Sequence, residues 1–166
     1  MKIALPATLT LALMAASASA QQGAIDSKKI HIGGSLSHNV VDSPFSGGGS
    51  AEAFGYGIFA GYELDNDMDQ VKTSVELGFS QTEDFSDHID QDISGIWVAY
   101  VAEKDLPEVS PNLFVIGRIG LDLGDDDGLL LGAGAGLHLN KQVDLRGEFI
   151  NKDASSVYQA SLVLNF

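Results

Sequence analysis

Apolar and polar residues alternate with a period of two along eight stretches of this chain, which is the signature of half-buried β-strands and not of helices. In 29–41, Ile30, Ile32, Leu36 and Val40 alternate with His31, Gly33, Ser35, Ser37 and Asn39. In 51–64, Phe54, Tyr56, Ile58, Ala60, Tyr62 and Leu64 share one face, opposite Gly55, Gly57, Phe59, Gly61 and Glu63. Residues 71–80 set Val71, Thr73, Val75, Leu77 and Phe79 against Lys72, Ser74, Glu76, Gly78 and Ser80. Stretch 93–104 leaves its apolar face open between Ile96, Val98, Tyr100 and Trp97, Ala99, Val101. The pattern resumes in 113–123, 129–140, 143–149 and 158–166. Turn-forming runs separate the stretches: DSPFSGGGS, DNDMDQ, SDHIDQD, PEVSPN, DDDG, NKQ and KDAS. Strands of about ten residues are what a tilted transmembrane β-strand needs.

Alternation is also the pattern of a soluble barrel or sandwich with its apolar face inward. The content of the polar face decides between them. It is mostly Gly, Ser and Asn with single charges of both signs, which suits the narrow interior of an eight-stranded barrel better than a solvated surface. The apolar face has no charge in its middle, as lipid contact requires. Its aromatics gather toward the strand ends, with Phe54, Tyr56, Phe79, Phe149 and Tyr158 at one and Tyr62, Tyr100 and Phe166 at the other. Two interfacial belts are expected. The predicted fold is all-β: an eight-stranded antiparallel up-and-down transmembrane barrel.

The start of the chain changes where that barrel is expected. Residues 1–20, MKIALPATLTLALMAASASA, carry Lys2, an apolar run and the small-residue site Ala18-Ser19-Ala20, the form of a cleaved secretory signal peptide. Cleavage after Ala20 removes one positive charge, taking the formal charge from −14 to −15. That charge argues against binding to nucleic acid phosphates. With no cysteine, a disulfide framework, a thiolate metal site, a cysteine nucleophile and a lipoprotein anchor are all excluded.

The last eight residues, QASLVLNF, resemble the C-terminal assembly signal of bacterial outer-membrane barrels: Phe166 is the terminal aromatic, Leu164 the hydrophobic residue two earlier, and Gln159 the polar start. Ser161 stands where glycine is usual. The stretch GLHLNKQVDLRGEF, 136–149, is similar to a region of the small barrels related to the transmembrane domain of outer membrane protein A. The resemblance implies a Gram-negative outer-membrane location, insertion by the barrel assembly machinery and both termini in the periplasm. Residues 21–28 are then a short periplasmic segment and 29–166 the barrel. DSPFSGGGS, SDHIDQD, DDDG and KDAS become outer loops, and DNDMDQ, PEVSPN and NKQ become periplasmic turns.

Candidate chemistry concentrates on the inward face. Glu76, Arg118 and Glu148 fall at similar heights, with Lys72, Asp122, Asp144 and Arg146 within about a layer. Buried charges need partners, so Arg118 and Arg146 are expected to bridge Glu76 and Glu148. Such a network reads as a plug that fills the lumen, or as a gate that leaks small ions. Asp65, Asp67, Asp69 and Glu76 have the 1, 3, 5, 12 spacing of a calcium loop, but Gln70 replaces its glycine and a strand follows. An acidic hairpin is the better account. The acidic loops (Glu83, Asp84, Asp87, Asp90, Asp92; Asp125, Asp126, Asp127) are solvated tips, or they share divalent cations with lipopolysaccharide phosphates. His31, His38, His88 and His138 form no helical metal motif. Only His38, with Ser43 or Ser46, approaches a hydrolase arrangement. Gly132–Gly136 alternates with alanine inside a strand, so it is no phosphate loop.

These readings predict a non-enzymatic, monomeric, porin-like structural component of the outer membrane with at most slight small-solute permeability. Its expected partners are outer-membrane lipid, lipopolysaccharide and the assembly machinery, and no cofactor, metal or catalytic residue is expected. A surface-exposed adhesion or binding protein is the alternative, and a lipid A-modifying outer-membrane enzyme the third reading.

Overall fold

The computed structural model describes residues 26–41, 50–83, 85, 92–153 and 155–166. The expected leader and most of loops 42–50 and 86–92 lie outside the described residues. A short 3-10 turn, Ser27–Lys29, precedes eight strands: β1 (Ile30–Val41), β2 (Ala51–Leu64), β3 (Val71–Thr82), β4 (Ser94–Asp105), β5 (Leu113–Asp122), β6 (Gly128–His138), β7 (Val143–Asn151) and β8 (Ser155–Asn165). Each pairs antiparallel with its sequence neighbour, and β1 pairs with β8 to close the barrel. Closure removes every sheet edge, so all ladder hydrogen bonds are made internally, as crossing a bilayer requires. Among the described residues no helix is long and apolar enough to cross a membrane.

Several boundaries differ from the periodicity reading. β3 runs on to Thr82, β7 to Asn151, and β8 begins at Ser155 instead of 158. The added residues are polar or inward-facing, where apolar alternation gives no signal although the backbone pairing continues, as in Asn151↔Ser156. β6 ends at His138, because Asn140 opens a turn in which its side-chain oxygen accepts from the Gln142 N–H.

The apolar face points outward. Leu36, Phe54, Leu121 and Leu162 are all strongly exposed, Leu36 to 72%, while Phe114, Val101 and Val163 are fully enclosed. The ambiguous stretch resolves with Ile96 and Tyr100 outward and Trp97, Ala99 and Val101 inward. One aromatic level follows the ladder through adjacent strands: Phe54 pairs with His38, His38 with Tyr158, and Tyr158 with Phe149. Tyr62, Val75 and Tyr100 continue one another near the other end.

Inside, bulky and small residues face across the strands. Phe59 pairs with Gly33, Trp97 with Gly78, Phe114 with Gly136, Arg118 with Gly132, and Glu148 with Gly134. A Cβ on Gly136 would lie inside the Phe114 ring, and one on Gly78 inside the Trp97 indole. The inward glycines therefore make the volume into which the large side chains turn, which is how eight strands close over a filled interior.

The lumen charge cluster

Five inward side chains from four strands meet in mid-lumen. Arg118 of β5 forks onto Glu148 of β7, with Nε to Oε1 at 2.7 Å and Nη2 to Oε2 at 2.8 Å. Its Nη2 also lies 3.4 Å from Oε2 of Glu76 on β3. Arg146 of β7 donates from Nη1 to Glu76 Oε1 at 2.7 Å. Its Nη2 lies 2.6 Å from Oε1 of Glu103 on β4. His31 Nε2 of β1 completes the surround of Glu76 at 3.0 Å. Period two makes this geometry: all these positions share the inward parity, and registers such as Arg118↔Val101 and Gly61↔Glu76 bring them to adjoining heights.

Aromatic faces flank the cations. The Arg118 guanidinium lies 5.4 Å from the Trp97 ring centre and that of Arg146 5.9 Å from Phe59. These contacts favour a desolvated guanidinium by about 0.5–2 kcal/mol each. Buried apolar side chains lie on both sides of the cluster: Leu130, Ile150 and Val157 toward the mouth of the β7–β8 loop, which carries the label outer from the expected topology, and Phe114 and Val163 toward the mouth of the β6–β7 turn, labelled periplasmic on the same expectation.

Of the seven charged positions singled out in the sequence, four join this cluster: Glu76, Arg118, Arg146 and Glu148. Arg118 reaches both Glu76 and Glu148, whereas Arg146 turns from Glu148 to Glu103. The other three stand apart. Asp122 accepts from Lys152 Nζ at 2.6 Å near the outer mouth. Asp144 sits at the opposite mouth, where it meets His138 Nδ1 at 2.7 Å and accepts from Asn165 Nδ2 at 2.8 Å. Lys72 is exposed at the periplasmic rim, across the ladder from Glu103. A shared strand level fixes height only: Asp122 and Asp144 take partners from loop and mouth residues, and Lys72 is exposed. Glu103 escaped the sequence reading because the inward parity of 93–104 was undecided, and once Trp97 points inward Glu103 must follow.

Above the cluster is a cavity of about 30 Å³ between Arg118 and Lys152, lined on one side by Ser35, Ser37, Asn39 and Ser80. It has room for about two waters. At the periplasmic mouth His138 also places Nε2 3.1 Å from Asp105 and stacks on Phe114 at 4.7 Å. Just outside the barrel, Lys29 Nζ lies 2.6 Å from both oxygens of Asp65, a hydrogen bond that raises the lysine pKa. Asp65 and the buried Glu76 thus have unrelated surroundings, which dismantles the calcium-loop spacing. Among the described residues no group of three metal-ligating side chains is arranged to hold an ion.

His38 faces outward at the outer rim with Glu52 3.4 Å away, and Ser43 and Ser46 lie outside the described residues. Gln159, Leu164 and Phe166 all belong to the closing strand or its end: Leu164 and Phe166 point outward, and Gln159 Nε2 donates to Ser161 at 3.0 Å.

The family model described as an outer membrane protein beta-barrel domain matches residues 8–166. Among solved structures, the chain is similar to Neisserial surface protein A, at 17% identity over 83% of this chain and 97% of that one, with a TM-score of 0.56. A de novo designed transmembrane β-barrel gives 13% identity, 85% and 98% coverage and a TM-score of 0.57. Ail, the attachment invasion locus protein of Yersinia pestis, gives 19%, 82% and 94%, and 0.50. No curated protein matches the chain. At these identities the likeness is one of fold, and a fold shared with a designed barrel leaves function to be argued from the site.

Proposed function

This chain belongs to the outer membrane protein β-barrel family, and from that premise we propose that it is a non-enzymatic structural component of the outer membrane whose lumen is plugged and passes small solutes slightly at most. One observation carries the reading. The buried Glu76, Glu103, Glu148, Arg118 and Arg146 side chains, drawn from four strands, meet across the mid-lumen, with buried apolar side chains on both sides. Cavity space above the cluster amounts to about 30 Å³, far below the several hundred Å³ of a small-molecule site.

Two measurements test this. The protein should migrate differently on a denaturing gel before and after boiling, since the closed ladder resists detergent until heated. Reconstituted in liposomes, it should pass sugars no faster than protein-free vesicles. Rapid swelling in arabinose would refute the plug. A single heat-indifferent band in the soluble fraction would refute the membrane reading itself.

A further inference from the structure

At the mouth of the β6–β7 turn one imidazole stands between two carboxylates. His138 is the last residue of β6, and Asp144 lies directly across the ladder from it on β7. Its Nδ1 is 2.7 Å from Asp144 Oδ1, and its Nε2 is 3.1 Å from Oδ1 of Asp105, the last residue of β4. The strand between β4 and β6 is β5, whose Phe114 the ring covers at 4.7 Å with 27° between the planes. Asp144 in turn accepts from Asn165 Nδ2 of β8 at 2.8 Å. The contacts thus run from β8 through β7 and β6 to β4, across five consecutive strands. Backbone bonds hold both ends of the bridge: the His138 N–H donates to Asn112 O at 2.8 Å and the Asp105 N–H to Gln70 O at 2.9 Å.

The two distances fix the protonation of the ring. A neutral imidazole has one N–H and one lone pair. In either tautomer one carboxylate oxygen would face that lone pair at hydrogen-bond distance. The imidazolium donates to both acids through charge-assisted bonds, and a cation is also the better partner for the Phe114 face. The charges on the surrounding elements weigh the same way. Asp105 on β4 and Asp144 on β7 favour the second proton by direct contact. Lys72 on β3 opposes it, but is exposed and makes no bond to the ring among the described residues. Glu103, further in on β4, is held by Arg146, and Lys141 of the β6–β7 turn is exposed. The β5 and β8 neighbours, Phe114 and the Asn165 amide, carry no charge.

We propose that His138 is a proton-held clasp on this mouth, closed while the ring carries both protons and released from Asp105 when alkaline solution removes one. The order of release follows from burial. The Asp144 side chain is 4% exposed and its contact is the shorter, so it keeps the remaining N–H, since losing it would strand a buried carboxylate. The Asp105 side chain is 39% exposed and turns to water. Release therefore unties β4 from β6 and frees the ring to lift from Phe114, while the Asp144–Asn165 bond and the mid-lumen cluster stay in place. The clasp goes beyond the plug proposed above and does not depend on it, since its working needs no solute to pass.

Two measurements on the folded barrel test this. Side-chain nitrogen spectra in detergent micelles should show hydrogen on both ring nitrogens of His138 at pH 7 and on one at pH 10. The resonances are assigned by their loss in His138→Gln, or by their shift in Asp105→Asn where the first variant fails to fold. A ring with one protonated nitrogen at pH 7 overturns the clasp. Urea unfolding in lipid vesicles gives the second reading. The folded mouth holds this proton with two carboxylates and the unfolded chain with none, so the folding equilibrium constant should fall by about tenfold or more between pH 7 and pH 10. The fall should shrink to less than about threefold in His138→Gln, where every other group still titrates. In Asp105→Asn, a change at the exposed rim, it should move about one pH unit toward neutral. A constant indifferent to pH, a fall as large in His138→Gln, or one unmoved by Asp105→Asn overturns the proposal.

Discussion

Replacing Arg146 with Met should be among the most damaging single changes in this protein. The side chain is almost fully buried, so the swap keeps most of its volume while removing its charge. Glu76 loses its 2.7 Å contact and Glu103 its 2.6 Å contact. Glu76 keeps Arg118 and His31, Glu148 keeps Arg118, and Glu103 loses the cation that holds it. Removing one partner of a buried pair leaves an uncompensated charge and costs about 3–5 kcal/mol. Glu103→Gln acts in the opposite sense, since it leaves two carboxylates on two guanidiniums, and should cost under about 1 kcal/mol. The two changes should therefore couple: Glu103→Gln placed in the Arg146→Met protein should restore at least about 1 kcal/mol, because it removes the charge that the first change stranded. The lone tryptophan is a ready reporter, since Trp97 is inside the lumen beside Arg118, and urea unfolding in lipid vesicles followed by its fluorescence gives all four corners of the cycle. Additive losses, or an Arg146→Met protein within about 1 kcal/mol of the wild type, would mean that water reaches the cluster and that it is not a dry plug.

Other substitutions probe the packing and the bilayer face by the same unfolding assay. Gly136→Ala puts a methyl into the Phe114 ring and should cost about 1–3 kcal/mol. Gly147→Ala, whose Cβ would meet only a backbone oxygen at 4.0 Å, should change stability by less than about 0.5 kcal/mol. Gln70, in the turn between β2 and β3, has φ 60°; Gln70→Gly should stabilise by up to about 1 kcal/mol as the left-handed strain is relieved. Leu77→Arg, in the middle of the outward face, should cost about 2–4 kcal/mol, against about 0–1 for Leu64→Arg at the periplasmic rim.

The architecture was legible because period two survives in every strand and because outward positions carry no charge in mid-strand. What the pattern hid was the inside. Sorting faces by polarity assumes that a lumen is polar, and this one alternates polar and apolar levels: Trp97, Ala99 and Val101 on β4, Phe114 and Ile116 on β5, Val157 and Val163 on β8 all point inward. On β4 the two faces are therefore equally apolar in sequence. Register settles them, because Trp97 must lie across from Gly78 for either strand to close. Glu103 followed from that parity and from nothing local. The separation of Lys72, Asp122 and Asp144 from the cluster was likewise invisible, since it depends on how far each side chain leans toward Lys152, His138 or open water.

The alternation of levels explains why so polar a lumen can be stable. Two guanidiniums and three carboxylates stranded in a dry interior would carry a desolvation penalty of several kcal/mol per ion. Here each guanidinium has an aromatic face against it and a carboxylate in reach, and the apolar layers above and below limit the number of waters that compete. The layers alone would not specify which strand meets which, because Leu, Ile and Val pack in many registers. The ion pairs do specify it: Arg118 can fork onto Glu148 only where β5, β6 and β7 keep their present offsets, and a slip by one residue would turn both side chains to the lipid. Charge at the centre thus acts as a register device and apolar packing supplies the stabilisation. Glu103 stands outside both tasks, since removing it leaves the Arg118–Glu148 fork and the Arg146–Glu76 contact intact.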